Sequence, residues 1–144
     1  MRNALVVALL VLITAACDNG GGSGPVAPGS QGSSATAAVE TFTGTVAVGG
    51  SDAHPFTVAL SGGQLAATLT AVGPPATIFM GLGIGSWTAP STCTLISGGS
   101  VVTQAGTAAQ LSGVLSSTGS FCVAVFDVGN QTDQVSYSVT VSHF

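Results

Sequence analysis

Basic side chains are all but missing from this sequence: Arg2 is its single Lys or Arg, and charged residues of both signs make up only 4% of it. Residues 17–144 hold five acids, Asp18, Glu40, Asp52, Asp127 and Asp133, and no Lys or Arg. Their formal charge is −5 with His54 and His143 neutral. Nucleic-acid binding rests on neutralising phosphates with basic side chains, so that class of function is excluded. Attraction to anionic lipid headgroups fails for the same reason. Ordinary globular chains are about a quarter charged. Here salt bridges are expected to add nothing to stability, and Ser, Thr, Gln and Gly must solvate the surface.

Past the first 16 residues there is no long apolar run and no helical period over ten residues or more. No G-x-S-x-G elbow surrounds any serine, and a Ser–His–acid hydrolase needs its nucleophile within reach of an oriented base. His54, beside Pro55, reads as part of a solvated turn, with a catalytic pairing to Asp52 as the alternative. His143 reads as part of a fraying C-terminus. GLGIGS, Gly81 to Ser86, has the glycines of a phosphate loop, but Trp87-Thr88-Ala89-Pro90 follows and no lysine is available. A nucleotide fingerprint requires a helix to open there, so the stretch reads as a bulged or flexible strand-to-loop transition.

Apolar residues do fill the start. Arg2 precedes the run Ala4 to Ile13, and small residues follow. A positive n-region before an apolar segment of roughly 10–13 residues is the layout of a secretory signal. It is too short for a membrane span of about 20 residues. The other reading is an uncleaved N-terminal anchor. Thr14-Ala15-Ala16-Cys17 resembles the lipobox of bacterial lipoproteins, with Thr14 where leucine is most usual. That resemblance implies cleavage before Cys17 and acylation of it, with a diacylglycerol and a further acyl chain such as palmitate. Two or more chains anchor stably where one binds reversibly, so Cys17 is expected to hold the chain on a membrane.

A lipidated Cys17 leaves Cys93 and Cys122, an even number in an exported chain. Their disulfide is expected; two buried thiols are the alternative. A metal site is disfavoured because the spacing is not CxxC.

Asp18 to about Ala38 reads DNGGGSGPVAPGSQGSSATAA, a flexible tether with a reach of roughly 25 Å for some 20 residues. The expected division is therefore signal 1–16, lipidated cysteine and tether 17–39, and folded domain 40–144. In the last, short alternating runs appear: TFTGTVAV aligns Phe42, Val46 and Val48; PFTVAL aligns Phe56, Val58 and Leu60; QLAATLTAV aligns Leu65, Ala67, Leu69 and Ala71. DQVSYSVTVSHF alternates Val135, Tyr137, Val139 and Val141 with Ser and Thr. A period of two in β-branched residues marks half-buried strands. GGSDAHP, SGGQ, VGPPA, SGGS, STGS and VGNQTD read as turns between them. GSFCVAVFDVGN is apolar on both faces and so belongs inside a sheet rather than at an edge. Around seven to nine strands predict one all-β domain, a single antiparallel β-sandwich of jelly-roll-like form.

The stretches FTGTVAVGGSDAHPFTVAL, GGQLAATLT, GSFCVAVFDVGN and VSYSVTV together resemble the bacterial pre-peptidase C-terminal domain. Two departures are Ala53-His54-Pro55, which loosens the link between the Asp and the aromatic strand, and the lack of a preceding catalytic domain. The resemblance implies a β-sandwich accessory module without an active site.

Two candidate binding features remain. Asp127, Asn130 and Asp133 bracket the turn DVGNQTD and could offer oxygen ligands to calcium, although Asp and Asn also form turns through their own side chains; no other cofactor is expected. Trp87, the single tryptophan, could stack on a sugar or anchor a partner, or could pack within the sandwich. The sequence-based expectation is a non-enzymatic, lipid-anchored cell-envelope module that binds glycan or protein or serves envelope architecture. The runner-up is a small exported enzyme or inhibitor using Asp52 and His54.

Overall fold

A computed structural model describes residues 36–144. The signal, Cys17 and most of the tether lie outside the described residues. Eight strands run in order: β1 (Ala38–Val46), β2 (Ser51–Val58), β3 (Gly63–Gly73), β4 (Met80–Thr88), β5 (Thr92–Thr103), β6 (Leu111–Leu115), β7 (Gly119–Phe126) and β8 (Val135–His143). They form two four-stranded antiparallel sheets, β1-β8-β3-β6 (sheet I) and β2-β7-β4-β5 (sheet II). Every connection but the β4–β5 hairpin crosses from one sheet to the other. That is the eight-stranded jelly roll. The first strand begins at Ala38.

The period of two explains which side chains meet between the sheets. Val135, Tyr137, Val139 and Val141 of β8 are all buried, as their alternation predicts, and they face Phe56, Val58, Leu82, Ile84, Val123 and Val125 of sheet II. β7 lies between β2 and β4, inside its sheet, and both of its faces are covered from Phe121 to Val125.

Three strand readings shift. In β3 a register break between Leu69 and Ala71 turns the later residues over, so Ala71 is exposed and Val72 is buried in its place. An inserted residue on one strand of a pair does this because side chains alternate strictly. GGSDAHP is a turn only in its first residues; Ser51 to Pro55 already pair with β7. SGGS, Ser97 to Ser100, lies inside β5, where pairing with β4 breaks register between Gly83 and Gly85.

Cys93 of β5 and Cys122 of β7 form the expected disulfide, with Cα atoms 5.9 Å apart. β4 lies between those two strands in the sheet, so β5 must curl over β4 to make the bond. The opposite side is closed differently, by polar and aromatic side chains of β1, β2 and β8. Between β5 and β6 a slot of about 190 Å³ stays open, lined in part by Leu65, Ile84, Leu111 and Leu115.

Candidate functional site

β4 is where the sequence is most unusual. Leu82 and Ile84 point into the core, and the glycines of GLGIGS occupy the outward positions between them. The stretch is thus a central strand, not a strand-to-loop transition, although it does contain the expected bulge, between Gly83 and Gly85. A Cβ at Gly81 would overlap the Phe126 ring. One at Gly83 would lie 2.8 Å from Leu95 Cδ2. One at Gly85 would meet the Thr94 carbonyl and stand 3.0 Å from Cys122 Sγ. Phe126, Leu95 and the disulfide can lie flat on the outside of sheet II because those three side chains are missing. Trp87, paired with Cys93, continues this row half-buried on the outer face rather than in the core.

The result is a groove of about 660 Å³ across the outer face of sheet II. Its floor is Phe126, Leu95, Ala124, Cys93 and Trp87, with Ser51, Ser91 and Thr92 as polar side chains; Asp52 borders it, but its own side chain turns to the inner face of the sheet, level with Val125. Polar atoms make up slightly more of its exposed lining than apolar ones, so it is an open, mixed surface rather than an enclosed apolar pocket.

Asp52 also belongs to a second arrangement. His54 is in strand β2 and turned between the sheets, so the solvated-turn expectation is corrected. Tyr137 Oη donates to Asp52 Oδ2 at 2.8 Å, and His54 Nε2 lies 2.9 Å from the same Oη. The Tyr137 hydrogen is committed to Asp52, so the phenol oxygen accepts and His54 Nε2 donates. Phe42 stacks on the imidazole at 5.0 Å between ring centroids, with planes 10° apart. Gly44 makes room for the cluster: a Cβ there would run into Asp52 Oδ2 and stand 2.8 Å from Tyr137 Oη. Burial, reinforced by the Asp52 carboxylate, pushes the Tyr137 hydroxyl far above its ordinary value. A general base needs a free lone pair within reach of its proton. Here Nε2 bonds the phenol, which in turn bonds Asp52, and what the arrangement does is fix the Asp52 carboxylate between the sheets.

His143 is likewise no fraying residue. It is 3% exposed, its Nε2 lies 2.8 Å from Glu40 Oε1, and its ring packs on Phe56 at 5.0 Å. Each histidine lies near a carboxylate, His54 Nε2 at 3.7 Å from Asp52 and His143 at 2.8 Å from Glu40, and each pair is ionic when the imidazole is protonated.

In the DVGNQTD turn, Asp127 Oδ2 accepts the Gly49 amide at 2.7 Å, and Oδ1 faces the amides of Gly129, Asn130 and Gln131 at 2.8, 3.2 and 3.4 Å. These amides, Gly49 foremost, hold the Asp127 carboxyl below the ordinary range. Gly49 sits at φ +69°, in the left-handed region that glycine enters without strain. Asp127 therefore clamps two loops through backbone amides. Asn130 and Asp133 line a separate pocket beside Pro74 and Pro75. Among the described residues, no group of three or more His, Cys, Asp or Glu gathers to hold a metal ion.

Tyr137 was legible only as a core position, and Phe42, Leu95 and Phe126 not as site residues at all. The signal for the groove was Gly-x-Gly-x-Gly at period two, which denotes a strand bare on one face.

No family model matches this chain, and no curated protein matches it. Among solved structures it is similar to the crystal structure of Aeromonas hydrophila PliG, a periplasmic lysozyme inhibitor of g-type lysozyme. The identity is 14%, the match covers 74% of this chain and 86% of that one, and the TM-score is 0.47.

Proposed function

We propose that this chain is an exported, lipid-anchored module of the bacterial cell envelope, held by Cys17, that binds a glycan or protein without transforming it. The groove on sheet II carries the reading, because it sets Trp87, Leu95 and Phe126 beside the hydroxyls of Ser51, Ser91 and Thr92 on one open face. The disulfide supports export, since such bonds persist in oxidising compartments. The likeness of its turn pattern to pre-peptidase C-terminal domains supports reading it as an accessory module. An enzymatic role for Asp52 and His54 draws no support from this geometry, in which both side chains are bonded to the Tyr137 hydroxyl between the sheets.

Trp87 is the built-in reporter. Residues 17–144 carrying Cys17→Ser, titrated with peptidoglycan fragments, neutral glycans and basic polypeptides, are expected to show a saturable change in Trp87 fluorescence with at least one. Binding that survives Trp87→Ala undiminished would place the site elsewhere and overturn the assignment to the groove.

A further inference from the structure

We infer that the free edge of β6 is a self-association surface: two copies of this chain join there by antiparallel pairing of β6 about a two-fold axis, each filling the slot of the other with Leu111. The inference goes beyond the binding role proposed above, concerns a different surface and does not depend on it.

β6 is an edge of sheet I, with β3 on one side and, among the described residues, no strand on the other. An unpaired edge is a template for a further strand, and proteins block it with charges, proline or bulges. The other three edges carry such blocks. β1 holds Glu40, β2 holds Asp52 and Pro55, and the pairing of β5 is broken by its bulge. β6, Leu-Ser-Gly-Val-Leu, has none of these, and its register with β3 is unbroken over all five residues.

The residues of β6 also say what the slot beside it needs. Residues directly opposite in an antiparallel ladder point to the same face. Leu111, Gly113 and Leu115 stand opposite Ala67, Leu65 and Gly63, and Ala67 and Leu65 are buried in the core. Gly113 is therefore a core-facing position without a side chain, and a Cβ there would meet nothing within 4 Å. The slot of about 190 Å³ opens over it, lined by Leu65, Ile84, Ile96 and Leu111. A second copy supplies the missing group, because a two-fold contact sets the same strand against itself. With the axis at Ser112, Leu111 of the second copy stands opposite Gly113 on the slot side, and the reverse holds in the other half. An axis at Gly113 would set glycine against glycine. One at Val114 would call on Leu115, which is already buried in its own core.

Charge favours this edge for a like partner. Two copies of an acidic chain repel wherever their acids meet, yet residues 55–126 contain no Asp, Glu, Lys, Arg or His. Glu40 shares a row of sheet I with Leu111 but lies three strands away, about 14 Å at the usual strand spacing. That exceeds the screening length of roughly 8–10 Å in physiological salt. Asp133 lies beside Pro74 and Pro75, past the end of β3 that β6 does not reach. Five paired residues a side make a small interface, so the dimer is weak, with an expected dissociation constant of about 10 μM to 1 mM.

The test is sedimentation velocity of residues 17–144 with Cys17→Ser, from about 10 μM to about 1 mM, with hydrogen exchange measured at both ends of that range. A monomer–dimer equilibrium is expected, in which the amides of β6 exchange more slowly at high concentration and those of β1 do not. Ser112→Lys sets two ammonium groups side by side at the axis and should abolish the dimer. Thr43→Lys makes the same change of net charge on an exposed position of β1 and should leave it intact. Gly113→Leu fills the slot from within. It should fold with a melting midpoint no lower than the parent and weaken association by about tenfold or more. A single monomeric species at every concentration would overturn the inference. So would a dimer that survives Ser112→Lys, or one lost equally on Thr43→Lys. Association undiminished by Gly113→Leu would overturn the exchange of Leu111. None of these readouts involves Trp87, so their failure leaves the groove reading standing.

Discussion

Replacing Cys93 and Cys122 together by alanine removes a bond that closes a loop of 29 residue steps. The chain-entropy relation for such a loop gives about 3.6 kcal/mol at 25 °C. Single domains are stable by only about 5–15 kcal/mol, so the loss would consume much of the total. At about 4–8 °C per kcal/mol for a domain near this size, the melting midpoint should fall by roughly 15–25 °C. The fall has a local origin as well. The disulfide ties β5 to β7 across β4, and without it β5 keeps only its β4 ladder, which is broken between Gly83 and Gly85. Thermal melts by circular dichroism, paired with urea titrations, would measure both effects. The denatured state, freed of its loop, should expand and raise the urea m-value. A midpoint shift below about 5 °C with an unchanged m-value would refute the reasoning. It would mean that the β4 ladder alone holds β5 down.

Gly44→Ala places a methyl against Asp52 Oδ2 and Tyr137 Oη. The backbone gain expected of Gly→Ala in a strand should be reversed to a net loss of about 1–3 kcal/mol in denaturant titration. Tyr137 is the single tyrosine, residues 17–144 contain no lysine, and Cys93 and Cys122 are bonded. With its hydroxyl raised in the fold, the unfolded chain ionises first as pH climbs past the ordinary tyrosine value. Stability should therefore be flat up to about pH 10 and then fall by up to about 1.4 kcal/mol per pH unit; Tyr137→Phe should remove that slope. Cys17→Ser in the full chain should move the protein from the membrane fraction to the soluble one on cell fractionation, and a variant that still sediments with membranes would sink the lipid anchor.

The sandwich was largely legible because its strands obey one rule. β8 writes valine and tyrosine against serine and threonine without a break, and β7 declares its interior place by being apolar on both faces. What escaped was set by neighbours distant in sequence. No local pattern separates a His-Pro turn from a strand whose proline is tolerated at a sheet edge, so His54 was misplaced until Tyr137, 83 residues away, supplied its partner. His143 followed the same logic one strand position beyond Val141, but nearness to the terminus outweighed it. The slip at Ala71 has a physical cause too, since a bulge inverts inside and outside without leaving a mark on composition. The groove was hidden because its depth comes from absent side chains, and glycine reads first as flexibility.

The two long sides of the sandwich are closed by different means, and this bears on how it moves. Along β1, β2 and β8 the sheets are stitched by Asp52, Tyr137, His54, Phe42, Glu40 and His143. Along β5 and β6 a slot reaches the apolar residues Leu65 and Ile84, and β6 is only five residues long. Local opening begins where packing is thinnest. The two sheets therefore resemble the boards of a book bound along the first side. The amides of β6 and the Ser97–Gly99 segment of β5 are the pages that exchange first with deuterated solvent. The clamp behind Asp52 is at the spine, so its carboxylate stays in place while the far edge breathes.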